Sequence, residues 1–241
     1  MSHFKLIKQI ETIFEDEDII VVSKPSGLLS IADRFKELTN LKDELLKKNE
    51  NIYTVHRLDK DTSGVMVFAK NEATHKFLNS QFANRKVNKI YWAFVQNTPE
   101  IESGIIEVPI LNDIRKSGRM HVSKEGKPAE TKFKVLKNYG KISLLAFSPV
   151  TGRTHQIRVH SKYLGCPLLI DSLYAYPYYV GKIAQLKTNT NAIESGKYIW
   201  SSLKVFSLIF FCIKNIGNKK TNKIGVNAEP AGWPGNRFSG K

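Results

Sequence analysis

His56-Arg57-Leu58-Asp59-Lys60-Asp61-Thr62-Ser63-Gly64 alternates two cations, Arg57 and Lys60, with two carboxylates, Asp59 and Asp61, directly ahead of the apolar run Val65–Ala69. On extended backbone Arg57, Asp59 and Asp61 point one way, and His56, Leu58 and Lys60 the other. Thr62-Ser63-Gly64 reads as a tight turn that could present Asp59 at the rim of a cleft. An aspartate so placed can be a turn residue, half of an ion pair, or a nucleophile or base. An exposed Arg57–Asp59 pair would be worth only about 0–1 kcal/mol. The nonamer alone favours that plain reading, because a catalytic carboxylate needs more context than a nearby cation.

A second set lies in Thr151-Gly-Arg-Thr-His-Gln-Ile-Arg-Val-His-Ser-Lys-Tyr-Leu-Gly165. Thr154 can cap a helix and Gly165 can end it in the left-handed conformation. Ile157 and Leu164 share the core side of that helix. His155, Arg158 and Lys162 form a basic stripe suited to a phosphate backbone, unless it is simply a solvated face. Arg153 stands at the helix entrance, where free backbone N–H groups favour an anion. A third set, residues 112–136, carries Arg115, Lys116, Arg119, Lys124, Lys127, Lys132 and Lys134 around two glycines. It reads as a loop between strands that could grip nucleic acid, or as a solvated surface loop.

Several chemistries are unsupported. Neither GxxxxGK[ST] nor GxGxxG after a strand occurs, and no GxSxG elbow does. The six histidines do not combine with Cys166 and Cys212 at zinc spacing, so neither metal nor cofactor is expected.

The elements that must position these groups follow from apolar periodicity. Asp18–Gly27 reads as a strand closed by a Pro-Ser-Gly turn. Asn40 caps a surface helix with Leu41, Leu45 and Leu46 on one face, supported by Asp43–Lys47 and Glu44–Lys48 pairs. Residues 65–70 alternate as a strand buried on both faces, and Asn71 caps a helix carrying Ala73, Phe77, Leu78 and Phe82. Strands are expected at 89–95 and in the runs GIIEVPI, TKFKVL and ISLLAFSPV. VFSLIFFCI (205–213) reads as a buried strand, too short to span a bilayer. The expected class is α+β (mixed α/β), a large, mostly antiparallel sheet with flanking helices and loops. Residues 1–213 are expected to form one catalytic domain, and 214–241, rich in Gly, Asn and Lys, a disordered tail.

Charge locates the partner. The chain of 241 residues has a formal net charge of +15. Residues 1–52 hold 8 Lys and Arg against 10 Asp and Glu, leaving 29 against 12 in residues 53–241, a net of +17. The basic field begins where the nonamer begins, which points to a polyanion rather than to general solubility. Two isolated cysteines fit a reducing cytosol, and no apolar leader is visible.

SKPSGLLS, HRLDKDTSGVMVFAK, KIYWAFV, GKPAETKFKVL, TGRTHQIRVH and LGCPLLIDSLY, in this order over residues 14–176, closely resemble the RluA-type family of RNA pseudouridine synthases. The resemblance implies that Asp59 is the essential aspartate. Tyr91 would be the tyrosine that stacks on uracil and can serve as base. Arg153 would pair with and orient the aspartate, and Arg57 would help displace the target base from its stack. Lys116, Arg119, Lys124, Lys127, His155, Arg158 and Lys162 would bind RNA. The family reaction uses no cofactor: it breaks the uridine N1–C1′ bond, turns the uracil, and rejoins it through C5. The expected protein is a cytoplasmic monomer acting on ribosomal or transfer RNA, without membrane, metal or an N-terminal S4-type domain. Ile170 stands where family members carry Gly, and the closing strand lacks their Leu-His-Ala element. The competing expectations are an RNA-binding protein that keeps the fold without turnover, and a hydrolase using Asp59 with Asp61.

Overall fold

Short β-branched and aromatic runs separated by Pro, Gly and Asn turns produce strands paired mainly with their antiparallel neighbours. The computed structural model describes residues 7, 10–33, 39–115, 118–176, 210–213 and 237–239. The chain divides into two compact units, Met1–Asn88 with Phe206–Asn227, and Lys89–Val205 with Ala228–Lys241.

In the first unit, β1 (Glu11–Glu15), β2 (Ile19–Lys24), β3 (Tyr53–Thr54) and β4 (Gly64–Ala69) form an antiparallel sheet in the order β1-β2-β4-β3. Helix α1 (Leu41–Leu46) begins at Asn40, whose side chain accepts the Asp43 N–H at 3.1 Å. The expected i,i+4 pairs do not form: α1 stops at Leu46, and Lys47 bonds Glu44 one residue nearer, at 2.7 Å. Helix α2 (Glu72–Ala83) starts from Asn71 as expected, with the Thr74 N–H donating to it at 2.9 Å. Its buried residue is Leu78, which joins Ile19, Val67 and Ala69, while Phe82 packs against that cluster and Phe77 faces out.

In the second unit, β5 (Val87–Gln96), β10 (Ile142–Pro149), β9 (Glu130–Asn138) and β6 (Ser103–Glu107) run antiparallel in that spatial order. Pro109 separates β6 from β7 (Ile110–Asn112), which turns back on β8 (Met120–Val122) as a separate two-stranded hairpin. Helix α3 (Gln156–Tyr163) follows β10. Val95, Ile106, Phe133, Leu145 and Phe147 make the centre of this unit's core, with Ile157 and Leu164 of the helix region against it, as the apolar spacing predicts.

The α+β class and mainly antiparallel pairing hold, but the strands are shared among three sheets rather than one. Of the expected strand at 205–213, Phe210–Ile213 (β11) is described. Within the segment expected to be a tail, Arg237–Ser239 (β12) pairs in parallel with β6. Residues 214–236, 240 and 241 lie outside the described residues. Among the described residues no helix is long and apolar enough to cross a membrane.

Candidate active site

Asp59 sits on irregular backbone between β3 and β4, half-buried, with Leu58 turned into the core and Arg57 exposed. The turn begins at Asp59 itself, whose carbonyl accepts the Thr62 N–H at 3.1 Å, three residues before the start of the Thr-Ser-Gly turn expected. The loop is held from the segment after β2. Ser30 Oγ donates to the Leu58 carbonyl at 2.7 Å and accepts the Leu58 N–H at 3.1 Å. The Gly27 N–H donates to the Lys60 carbonyl at 2.8 Å, and Ser26 Oγ to the Asp61 carbonyl at 2.7 Å. Gly27 has φ 91°, a left-handed turn that suits glycine.

Lys24 completes this hold from below. Its side chain is fully buried, and Nζ donates to the carbonyls of Leu28 at 2.7 Å, Pro25 at 3.0 Å and Lys60 at 3.1 Å. Burial pushes its pKa down to about 8, against the opposing pull of the Asp61 and Asp59 carboxylates. A buried ammonium with three carbonyl acceptors is a satisfied group, because Lys has three donors to place. On the other side of the loop, His56 Nε2 accepts the Val67 N–H at 3.1 Å, and the His56 ring stacks on Phe82 at 5.0 Å.

Tyr91 and Arg153 belong to the second unit. Tyr91 lies on β5 opposite Phe147 of β10, half-buried against the core cluster. The backbone N–H of Arg153 donates to Gln156 Oε1 at 2.9 Å, and its Nε donates to the Pro128 carbonyl at 2.9 Å. With Nε committed, a carboxylate or phosphate meeting Arg153 must do so at the terminal nitrogens.

The basic stripe expected on α3 is not a helical face. His155 precedes the helix, and its left-handed φ of 54° turns the ring so that Nδ1 meets the Tyr174 hydroxyl at 2.9 Å. Such a conformation costs a β-carbon residue about 1–3 kcal/mol and persists only where neighbours hold it. Thr154 therefore does not cap α3; the Gln156 side chain takes up the Arg153 N–H in its place. Arg158 places two donors on Asp171 at 2.7 and 2.8 Å, and its guanidinium lies 5.0 Å from the Tyr174 ring centre. Asp171 is buried, and a buried carboxylate needs such a partner, which is why Arg158 is drawn from its expected phosphate-facing place. Burial pushes the Asp171 pKa up, but the hydrogen bonds and charge of Arg158, with the N–H groups of Leu173 and Tyr174, hold it below the usual range. Gly165 does end the helix, at φ 77°, with its N–H on the Lys162 carbonyl and that of Cys166 on Ser161, both at 3.0 Å.

The basic segment is a hairpin, as its glycines and flanking strands predict. Arg115, Lys124 and Lys127 are exposed, Arg119 is half-buried with its guanidinium 5.5 Å from the Tyr174 ring centre, and Lys116 lies outside the described residues. Sequence reasoning passed over Lys24, Asp171 and Tyr174. An apolar strand ending in Lys before Pro-Ser-Gly, and an Asp within the otherwise uncharged LGCPLLIDSLY, were the available signals.

The family model for RNA pseudouridylate synthase matches residues 18–163, from β2 through α3. The chain belongs to that family. It is 42% identical over 172 residues to a dual-specificity RNA pseudouridine synthase RluA of Vibrio vulnificus, covering 68% of this chain and 69% of that protein. It is 41% identical over 177 residues to a ribosomal large subunit pseudouridine synthase D of Borreliella burgdorferi, covering 68% of this chain and 54% of the relative. Among solved structures, human RNA pseudouridylate synthase domain containing 1 superposes with a TM-score of 0.62 at 26% identity, covering 72% of each chain. Human domain containing 4 gives 0.59 at 27%, over 72% of this chain and 71% of that one. The match takes in the Asp59 loop, Tyr91 and Arg153, so the resemblance read from the motifs is that of a family member.

Proposed function

We propose that this chain converts uridine to pseudouridine in ribosomal or transfer RNA, with Asp59 as the reacting carboxylate. The observation that carries the reading is the hold on the Asp59 loop. Backbone groups of Leu58, Lys60 and Asp61, on both sides of Asp59, are bonded to Lys24, Ser26, Gly27 and Ser30. A surface ion pair needs no such support, whereas a reacting group gains rate from being held in place before substrate arrives.

In this reading the Asp59 carboxylate acts at the ribose as the N1–C1′ bond breaks, by attack on C1′ or by taking a proton on the way to a glycal. The freed uracil turns and bonds to C1′ through C5, and the C5 proton then leaves. The family resemblance gives Tyr91 the part of stacking on the uracil and accepting that proton. The same resemblance makes Arg153 the group that keeps the carboxylate ionised, and exposed Arg57 the one that fills the gap left by the base taken out of the stack. Arg115, Arg119, Lys124, Lys127 and Lys162 supply phosphate contacts. The chain works as a monomer and without a metal.

The test is pseudouridine formation in bulk RNA by purified wild-type and Asp59→Asn protein. The substitution keeps size and removes the charge. Product from the wild type, and none from a folded, RNA-binding Asp59→Asn, is the expected result. A variant that works at near wild-type rate would return Asp59 to a surface ion pair.

A further inference from the structure

The second unit contains a cavity of about 770 Å³ between the β7–β8 hairpin and α3, lined by none of the residues assigned to catalysis. Met120, Val122, Val159 and Tyr174 form an apolar part of its wall, and Tyr163 contributes a ring that is 44% exposed. Among the described residues of the lining, Arg115, Arg119 and Lys162 are the lysines and arginines and Asp113 the one acid. Asp113 Oδ1 already accepts the Arg115 N–H at 3.1 Å, and the Asp113 N–H donates to the Arg119 carbonyl at 2.8 Å, so it serves the hairpin turn. Tyr174 fixes the wall: its hydroxyl accepts the Met120 N–H at 2.8 Å while Arg119 and Arg158 lie against its ring.

Apolar and aromatic surface flanked by cations is the pairing an unpaired nucleotide demands, a π-face beside a phosphate. The volume falls in the range of small-molecule sites, ample for one nucleotide. We infer that this cavity binds an unpaired nucleotide of the substrate RNA, other than the uridine that reacts. The base lies against Met120 and Tyr163, and its phosphates meet Arg119 and Lys162. This rests on the reading of the chain as an enzyme acting on RNA, and adds to it a second point of grip that selects an unstacked base. A protein partner would not require the cations, and a structured duplex could not offer a base face to the wall.

Three methionines make the test direct: Met1, Met66 in the buried first-unit sheet, and Met120 in the cavity wall. Protein labelled with carbon-13 at the methionine methyls is titrated with a short single-stranded RNA, and with the same oligomer carrying an abasic ribose at its centre. Binding is followed in parallel by anisotropy. The expected result is a saturable shift of the Met120 methyl with the intact oligomer, reduced with the abasic one, while the Met66 signal stays fixed. Tyr163→Ala should weaken binding about fivefold or more. Lys162→Ala should flatten the slope of log K against log salt by about 0.7. Circular dichroism and cooperative urea unfolding report that each variant is folded. A Met120 signal that stays put at saturating RNA, or moves equally with the abasic oligomer, overturns the inference, and so does an oligomer that does not bind. Uridine isomerisation is assayed separately: an active enzyme whose Met120 does not respond loses the cavity site and keeps the activity.

Discussion

At the scale of the residue, Lys24 is the group whose importance exceeds its place in the sequence. It carries no substrate atom, yet its ammonium joins the carbonyls of Pro25 and Leu28 to that of Lys60, next to Asp59. Lys24→Met keeps the length and apolar stem and removes all three donors. The Lys60 carbonyl keeps the Gly27 N–H, but those of Pro25 and Leu28 are stranded at on the order of 1 kcal/mol each, so urea unfolding should show a loss of about 2 kcal/mol. The loop carrying Asp59 then relaxes, and displacement of a reacting group by about 1 Å costs near 100-fold in kcat. RNA affinity should change little, since Lys24 is buried and meets no phosphate. A variant with wild-type kcat would show that the Asp59 loop is positioned without Lys24. The family motifs placed Asp59, Tyr91 and Arg153 in the sequence. They left Lys24 as a strand end, because an acceptor set that joins Pro25 and Leu28 to Lys60, distant in the chain, has no linear signature.

At the scale of the element, α3 is anchored by a buried chain of hydrogen bonds to β9. Gln156 Nε2 donates to Thr131 Oγ1, which meets His160 Nδ1, both at 2.8 Å, and His160 Nε2 meets the Val108 carbonyl at 3.0 Å. The carbonyl can only accept, so Nε2 carries a proton, and burial of the ring favours its neutral form. Burial lowers the His160 pKa to about 4, with the Val108 carbonyl opposing. The unfolded chain, with an ordinary value near 6.5, binds a proton first as pH falls, so stability drops between 6.5 and 4. From pH 7 to 5 this loss should be about 2 kcal/mol by urea unfolding, and His160→Gln should remove that part of the slope. An unchanged slope in the variant would place the titration elsewhere. A second element-level case is Gly126, where an added β-carbon would lie 2.5 Å from the Ile110 carbonyl carbon, whereas one at Gly152 would meet nothing within 4 Å. Gly126→Ala should therefore cost about 2 kcal/mol and lower Tm, with Gly152→Ala nearly neutral. Equal effects would contradict that close approach. The sequence shows both as loop glycines. Strands and the caps at Asn40 and Asn71 were legible because they depend on local chemistry. The basic stripe was misread because His155 bends left-handed toward Tyr174, and Arg158 turns to Asp171, thirteen residues on. Contacts of that reach are made by the fold and leave no periodicity to read.

At the scale of the whole molecule, the uneven charge is what distinguishes a polyanion-binding surface from a merely basic protein. A uniform +15 would draw RNA to any face, but the first 52 residues are net negative, and Arg115, Lys116, Arg119, Lys124 and Lys127 fall close together along the hairpin and the turn after it. Lys124 and Lys127 are both exposed on that turn, which the Gly126 contact presses against Ile110. Lys47 and Lys48, at the end of α1, are likewise exposed but stand in the acidic part of the chain. Both double alanine variants lower the net charge by the same two units, so a long-range field would treat them alike. Direct phosphate contact would not, because each contact releases counterions and adds about 0.7 to the slope of log K against log salt for single strands. Lys124→Ala with Lys127→Ala should flatten that slope by about 1.4, and Lys47→Ala with Lys48→Ala should leave it at the wild-type value. Binding of a labelled single-stranded RNA measured from 50 to about 200 mM salt, the range over which such contacts are strongly screened, decides it. Equal slopes for the two variants would reduce the basic surface to a steering field and remove the turn at 123–127 from the RNA interface.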